Sequence, residues 1–137
     1  MINTTDKTHL DDFIRSNLVN ADENSIKFAN AINIFLRDMN YQGFLVTQVY
    51  DEKGINLIKE GDHFQALKFI FRVNHSCVIF RNNFRDTVLV HFNFMNECNN
   101  VFGEYNILST CNSRKYTQEQ LIIQLSKKAK NIFLKVI

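Results

Sequence analysis

The 137-residue chain contains no proline and no tryptophan, and glycine occurs only four times. With so few glycines, there is little material for a glycine loop that cradles phosphate or for a dinucleotide-binding fingerprint. No apolar run approaches the roughly 20 residues that a membrane-spanning helix needs. The segment from Met1 to Lys7 also lacks the basic and then apolar pattern of a secretory signal. We therefore expect a cytoplasmic protein that does not enter the membrane.

Cysteine is also scarce, with only Cys77, Cys98 and Cys111. Three widely spaced cysteines without a C-x-x-C pair argue against a disulfide framework and against a zinc finger. Reduced thiols are the simplest interpretation for a cytosolic chain. From these absences we expect neither a metal site nor a cofactor.

What the sequence does contain is ordinary for a globular protein: 45% of the residues are apolar and 22% are charged. The length fits one globular domain over residues 1–137. Abundant Asn, Ile, Phe and Lys point to an AT-rich gene, which is common among mobile bacterial genes. The domain should be of the α+β class, with two N-terminal helices, a central antiparallel sheet of about five to six strands and one long C-terminal helix.

Hydrophobic residues recur at helical spacing in three segments. A first helix is predicted over Asp6–Leu18 and a second over Asp22–Asn40, the latter burying Phe28, Ile32, Phe35, Leu36 and Met39. Asn40 and Gly43 should end the second helix. The last helix should begin at Thr117, whose hydroxyl can cap it while Gln120 completes a capping box.

Between the helices the hydrophobic period changes to two. Phe44–Tyr50 and Ile55–Ile58 form a predicted hairpin about a turn at Asp51–Gly54. Phe64–Val73 is ambiguous, because Asp62 could cap a helix there, but its aromatic and β-branched residues favour a strand. Val101–Leu108 is a further predicted strand.

The two strands around residues 78 and 90 allow a register prediction. With Val78 and Phe80 in the core, an antiparallel hairpin pairs Val78 with Val90 and Phe80 with Val88. The same register places Cys77 opposite His91, Ile79 opposite Leu89 and Arg81 opposite Thr87 on the other face. A slip by one residue would break both sets.

Cys77 and His91 form the best candidate for chemistry, since an imidazole beside a thiol can generate a nucleophilic thiolate. No signal for an oxyanion site accompanies Cys77, so a plain cross-strand pair is the favoured interpretation. A metal bound by His75, Cys77 and His91 lacks a fourth ligand at characteristic spacing. A small enzyme using Cys77 and His91 therefore stays a secondary alternative.

The C-terminal end of the chain is basic. Nucleic acid could bind there through five side chains: Arg114, Lys115, Lys127, Lys128 and Lys130. The nearly balanced overall charge of +2 favours instead a solvated lysine face on the last helix.

If all helices lie in a single layer on one sheet face, the other face stays partly open. This open face is predicted to carry aliphatic and basic groups: Lys68, Ile70, Arg72, Ile79, Arg81, Leu89 and His91. Such a mixture suits a protein partner of acidic or polar character. We therefore expect a non-enzymatic binding protein that inhibits or neutralises a protein partner. Bacterial immunity proteins and antitoxins that block a toxin, and phage proteins that block host defence, are of this class.

Overall fold

A computed structural model describes residues 12, 16, 23–83, 86–94, 104–110 and 118–136. Within these residues the architecture is α+β, with three helices and one five-stranded antiparallel sheet. The elements in chain order are α1 (Glu23–Tyr41), β1 (Leu45–Asp51), β2 (Gly54–Leu57), α2 (His63–Phe71), β3 (His75–Arg81), β4 (Thr87–Asn93), β5 (Glu104–Thr110) and α3 (Gln118–Val136). The strand order across the sheet is β2-β1-β3-β4-β5.

The predicted first helix, Asp6–Leu18, lies mostly outside the described residues. Only Asp12 and Ser16 are described there; both are helical and exposed, and the Ser16 hydroxyl donates to the Asp12 carbonyl at 2.9 Å. Of the two predicted N-terminal helices, only the second is described over its length, as α1. Thr117, the predicted cap of the last helix, also lies outside the described residues.

Helix α1 ends as its sequence predicts. Gly43 takes a φ of 91°, which costs glycine little, and its amide donates to the Asn40 carbonyl at 3.0 Å. The Phe44 amide donates to the Met39 carbonyl at 2.9 Å. These two bonds form a Schellman motif, so the chain leaves α1 in the direction that starts β1.

The prediction of a strand over Phe64–Val73 is wrong, because residues 63–71 form helix α2. The Asp62 carboxylate accepts from the Gln65 amide at 3.1 Å and so caps the helix. The buried residues Ala66, Leu67, Ile70 and Phe71 recur at helical spacing. Five of the six predicted strands therefore remain.

The register predicted for β3 and β4 is confirmed, including Val78 with Val90 and Cys77 with His91. β1 pairs with β3 and contains a bulge between Val46 and Gln48. Because of this extra residue, Val46 and Val49 both point into the core although they are three positions apart.

The core lies between the helices and one face of the sheet. Phe35 of α1 packs against Phe80, Phe92 and Phe133, with ring centroids 6.0 to 6.2 Å apart. Phe71 of α2 contacts Phe94 at 6.2 Å. Since the three described helices share one hydrophobic cluster with this sheet face, the opposite face is free of them.

Candidate functional site

The open sheet face is the surface of the sheet that lies opposite the helices. The strand registers place its residues in rows, because directly paired residues share a face. The first row is Ile55, Tyr50, Cys77 and His91, and the second is Leu57, Gln48, Ile79 and Leu89. A third row is Leu45, Arg81 and Thr87.

Chemically the open sheet face is mixed. The second row is aliphatic except for Gln48, whereas the first row carries the Tyr50 phenol, the Cys77 thiol and the His91 imidazole. His75 and His91 stack at 5.6 Å with an interplanar angle of 16°. Arg81 is exposed and adds a fixed positive charge at one end of the face.

Exposure rises across this face towards β2. Ile79 in the centre is only 7% exposed, and Tyr50, Cys77, Leu89 and His91 are half-buried. On β2, Ile55 is 57% and Leu57 is 72% exposed. Among the residues of β1 to β4 on this face, the most exposed apolar groups therefore lie on β2.

The predicted partner-binding residues divide between two parts of the molecule. Ile79, Arg81 and His91 lie on the open sheet face, as expected. Placing Lys68, Ile70 and Arg72 there is wrong, because Lys68 and Ile70 belong to α2 and Arg72 is its C-terminal cap. Ile70 has no exposed surface at all, so it belongs to the core.

Sequence reasoning missed Ile55, Leu57, Tyr50 and Gln48 as members of this face. Their alternation about the turn at Asp51–Gly54 places them on one face of the hairpin. Which face that is depends on the pairing of β1 with β3, a contact between distant parts of the chain.

Cys77 and His91 do face each other, but burial raises the pKa of the Cys77 thiol. The raised pKa favours the neutral thiol, which is the weaker nucleophile. The described residues also contain no group of three or more His, Cys, Asp or Glu side chains positioned to hold a metal ion. The raised pKa thus gives a Cys77 nucleophile little support.

A reactivity measurement tests the state of Cys77. At pH 7 we expect its alkylation by iodoacetamide to be slower than that of free cysteine, because the raised pKa leaves less thiolate. The rate should rise as the pH approaches the raised pKa. Mass spectrometry of the peptide that contains Cys77 measures the alkylation of this residue separately from that of Cys98 and Cys111. Alkylation at pH 7 faster than free cysteine would restore the nucleophile hypothesis.

The acid–imidazole neighbours Asp62 and His63 have structural roles. Asp62 caps α2, as described above. The pKa of His63 is lowered by burial first and by the charge of Arg37 second, while Asp62 and a hydrogen bond to the backbone carbonyl of Gly61 raise it in part. The imidazole therefore favours its neutral form, and its ring lies on Phe64 at 4.6 Å.

The basic residues of the nucleic-acid alternative are only partly described. Lys127 and Lys130 are exposed on α3 and Lys128 is half-buried, whereas Arg114 and Lys115 lie outside the described residues. No described helix combines the length and apolarity required to cross a membrane.

Comparison of the chain with protein-family models, with curated proteins and with solved structures gives no match.

Proposed function

We propose that the chain is a non-enzymatic binding protein that inhibits or neutralises a protein partner, which it contacts through the open sheet face. The observation that carries the proposal is the row structure of this face. Aliphatic side chains on β2, β3 and β4 share one row, which only Gln48 of β1 interrupts, next to an exposed arginine and a pair of stacked imidazoles. A toxin or a defence component is the partner class that fits an inhibitory role.

The physical support lies in how such a surface binds. Contiguous apolar groups supply the area that an interface removes from water, while polar groups around them set orientation and specificity. Arg81 favours a partner with acidic or polar groups at the matching position. The raised pKa of Cys77 and its half-buried position agree with a contact surface better than with a reactive centre.

The test uses matched charge reversals on two surfaces. Arg81→Glu alters the open sheet face, and Lys127→Glu alters exposed helix α3. A partner captured from cells that carry the gene should bind wild-type protein and Lys127→Glu in a 1:1 complex without turnover, and should lose Arg81→Glu. We expect the loss to be tenfold or more in affinity, because a rim charge pair is worth about 1 kcal/mol and repulsion adds to it.

The nucleic-acid alternative makes the opposite prediction. It requires affinity for DNA or RNA that falls steeply with salt and is lost when Lys127, Lys128 and Lys130 all become Glu. That result, together with unchanged behaviour of Arg81→Glu, would replace the present proposal.

A further inference from the structure

Among the described residues, β2 has a neighbouring strand on one side only, namely β1. Its other side is an edge, where backbone N–H and C=O groups are open to a second strand. Natural edges are often protected by proline or by charged side chains on the strand. β2 has neither, since its four residues are Gly54, Ile55, Asn56 and Leu57.

The hydrogen-bond pattern identifies which groups point outwards. The Ile58 amide donates to the Thr47 carbonyl at 3.0 Å, so these two residues form a hydrogen-bonded pair of the β1–β2 ladder. Such pairs alternate in an antiparallel ladder. With the register of β1 and β2, Asn56 therefore bonds towards Val49, whereas Ile55 and Leu57 direct their N–H and C=O groups away from β1.

The open edge is limited to these two residues. On one flank the Lys53 amide donates to the Asp51 carboxylate at 2.8 Å. On the other flank the Lys59 amide donates to the Gln65 side chain at 3.1 Å. Both flanking donors are thus already occupied, whereas no described residue accepts a hydrogen bond from the outward N–H groups of Ile55 and Leu57.

We propose that two copies of this chain associate through β2, antiparallel about a two-fold axis at Asn56. In this register Ile55 of each copy faces Leu57 of the other, and the two exchange four backbone hydrogen bonds. The open donors and acceptors of one edge match those of the second copy in number and spacing, which is the requirement for an isologous contact. The two sheets then form one continuous ten-stranded sheet.

The side chains support the same arrangement. Ile55 and Leu57 both lie on the open sheet face, and they are 57% and 72% exposed. The two-fold axis brings the Ile55 side chain beside Leu57 of the second copy, so four apolar side chains become contiguous. The contact is nevertheless short, well below the roughly 1,200 Å² of a standard stable interface, and the dimer should be weak and reversible.

Charge gives a second signature. Lys53 and Lys59 flank the edge, and the register places Lys53 of one copy near Lys59 of the other. Like charges across strands oppose pairing. The same register places Glu52 opposite Glu60 beside these lysines, so both signs of charge meet at each flank and the dimer should depend little on salt.

Sedimentation equilibrium of the full chain over a range of protein concentrations tests the proposal. The mass should rise towards twice the monomer value. Leu57→Pro should weaken association by more than about tenfold, because each copy loses an outward N–H donor. The β1–β2 ladder does not use that N–H, so Leu57→Pro should fold, as circular dichroism would verify. Leu57→Val keeps the N–H and an apolar side chain, and should still dimerise.

Two further measurements complete the design. Ile123 on α3 is 58% exposed, and Ile123→Ser removes a comparable apolar group without affecting association. Hydrogen exchange at the Ile55 and Leu57 amides should slow at high protein concentration. A chain that stays monomeric up to about 1 mM, or a dimer that a folded Leu57→Pro retains unchanged, would overturn the proposal. Neither result tests the proposed binding of a different protein through the open sheet face, which Arg81→Glu tests separately.

Discussion

Replacing Phe35 by alanine should lower the free energy of unfolding by about 3–5 kcal/mol, the usual range for a fully buried phenylalanine. Phe35 is 1% exposed and its ring meets Phe80 and Phe92 edge-on and Phe133 at a tilt. These contacts join α1, β3, β4 and α3 at one point. Truncation leaves a cavity that three rings cannot close without moving their own helix or strands. Urea denaturation followed by circular dichroism measures the loss.

Phe64→Ala is the matched control for this prediction. Phe64 lies in the first turn of α2 and is 48% exposed, so its truncation removes much less buried surface. We expect a change of about 1 kcal/mol or less, because alanine also favours the helix. Equal losses in the two variants would mean that Phe35 is not at the centre of the core.

Ile70→Asp should prevent stable folding, with a loss above about 4 kcal/mol. Ile70 is fully buried in α2, and a carboxylate at this position would lose its hydration without gaining a partner. This prediction also separates the two interpretations of residues 64–73. In the strand interpretation Ile70 lies on the open sheet face, where aspartate would be tolerated.

Ile123→Asp supplies the same substitution at an exposed helical site, since Ile123 is 58% exposed on α3. Its cost should be about 1 kcal/mol or less, arising from helix propensity. Thermal unfolding of both variants at neutral pH gives the comparison. A well-folded Ile70→Asp variant would contradict the helix and would support the prediction that Ile70 lies on the open sheet face.

The proposed function depends on the sheet face that the described helices leave uncovered. The buried phenylalanines of the described residues explain why the helices and the sheet associate, but they lie on the opposite side from the rows that contain Cys77 and Arg81. Substitutions on the open sheet face should therefore change binding more than stability. The proposals on Arg81 and on β2 depend on this separation of the two faces.

Local patterns predicted much of the architecture correctly. Helix α1 and its buried stripe follow from helical spacing, and its end follows from Gly43. The β3–β4 register follows from alternation, since a shift by one residue would exchange the faces of Val78 and Cys77. The residues of α1 are neighbours along the chain, and β3 and β4 are joined by a short connection. Local sequence is therefore sufficient to predict both.

Residues 64–73 were mispredicted because both interpretations are locally acceptable. Aromatic and β-branched residues favour a strand, whereas the Asp62 cap and the spacing of Leu67 and Phe71 favour a helix. Burial decides between them. The helix places Leu67, Ile70 and Phe71 together in the core. A strand would place Ile70 on the opposite face from Leu67 and Phe71.

The sequence by itself determined the class of the fold, the helix α1 and the β3–β4 pairing that defines the two sheet faces. Only the tertiary structure decided that Ile55, Leu57 and Tyr50 share a face with Cys77, and that the bulge after Val46 keeps both Val46 and Val49 buried. These features depend on the antiparallel pairing of β1 with β3, whose residues are about 30 positions apart. No local hydrophobic period encodes such a pairing, because it depends on how the whole core packs.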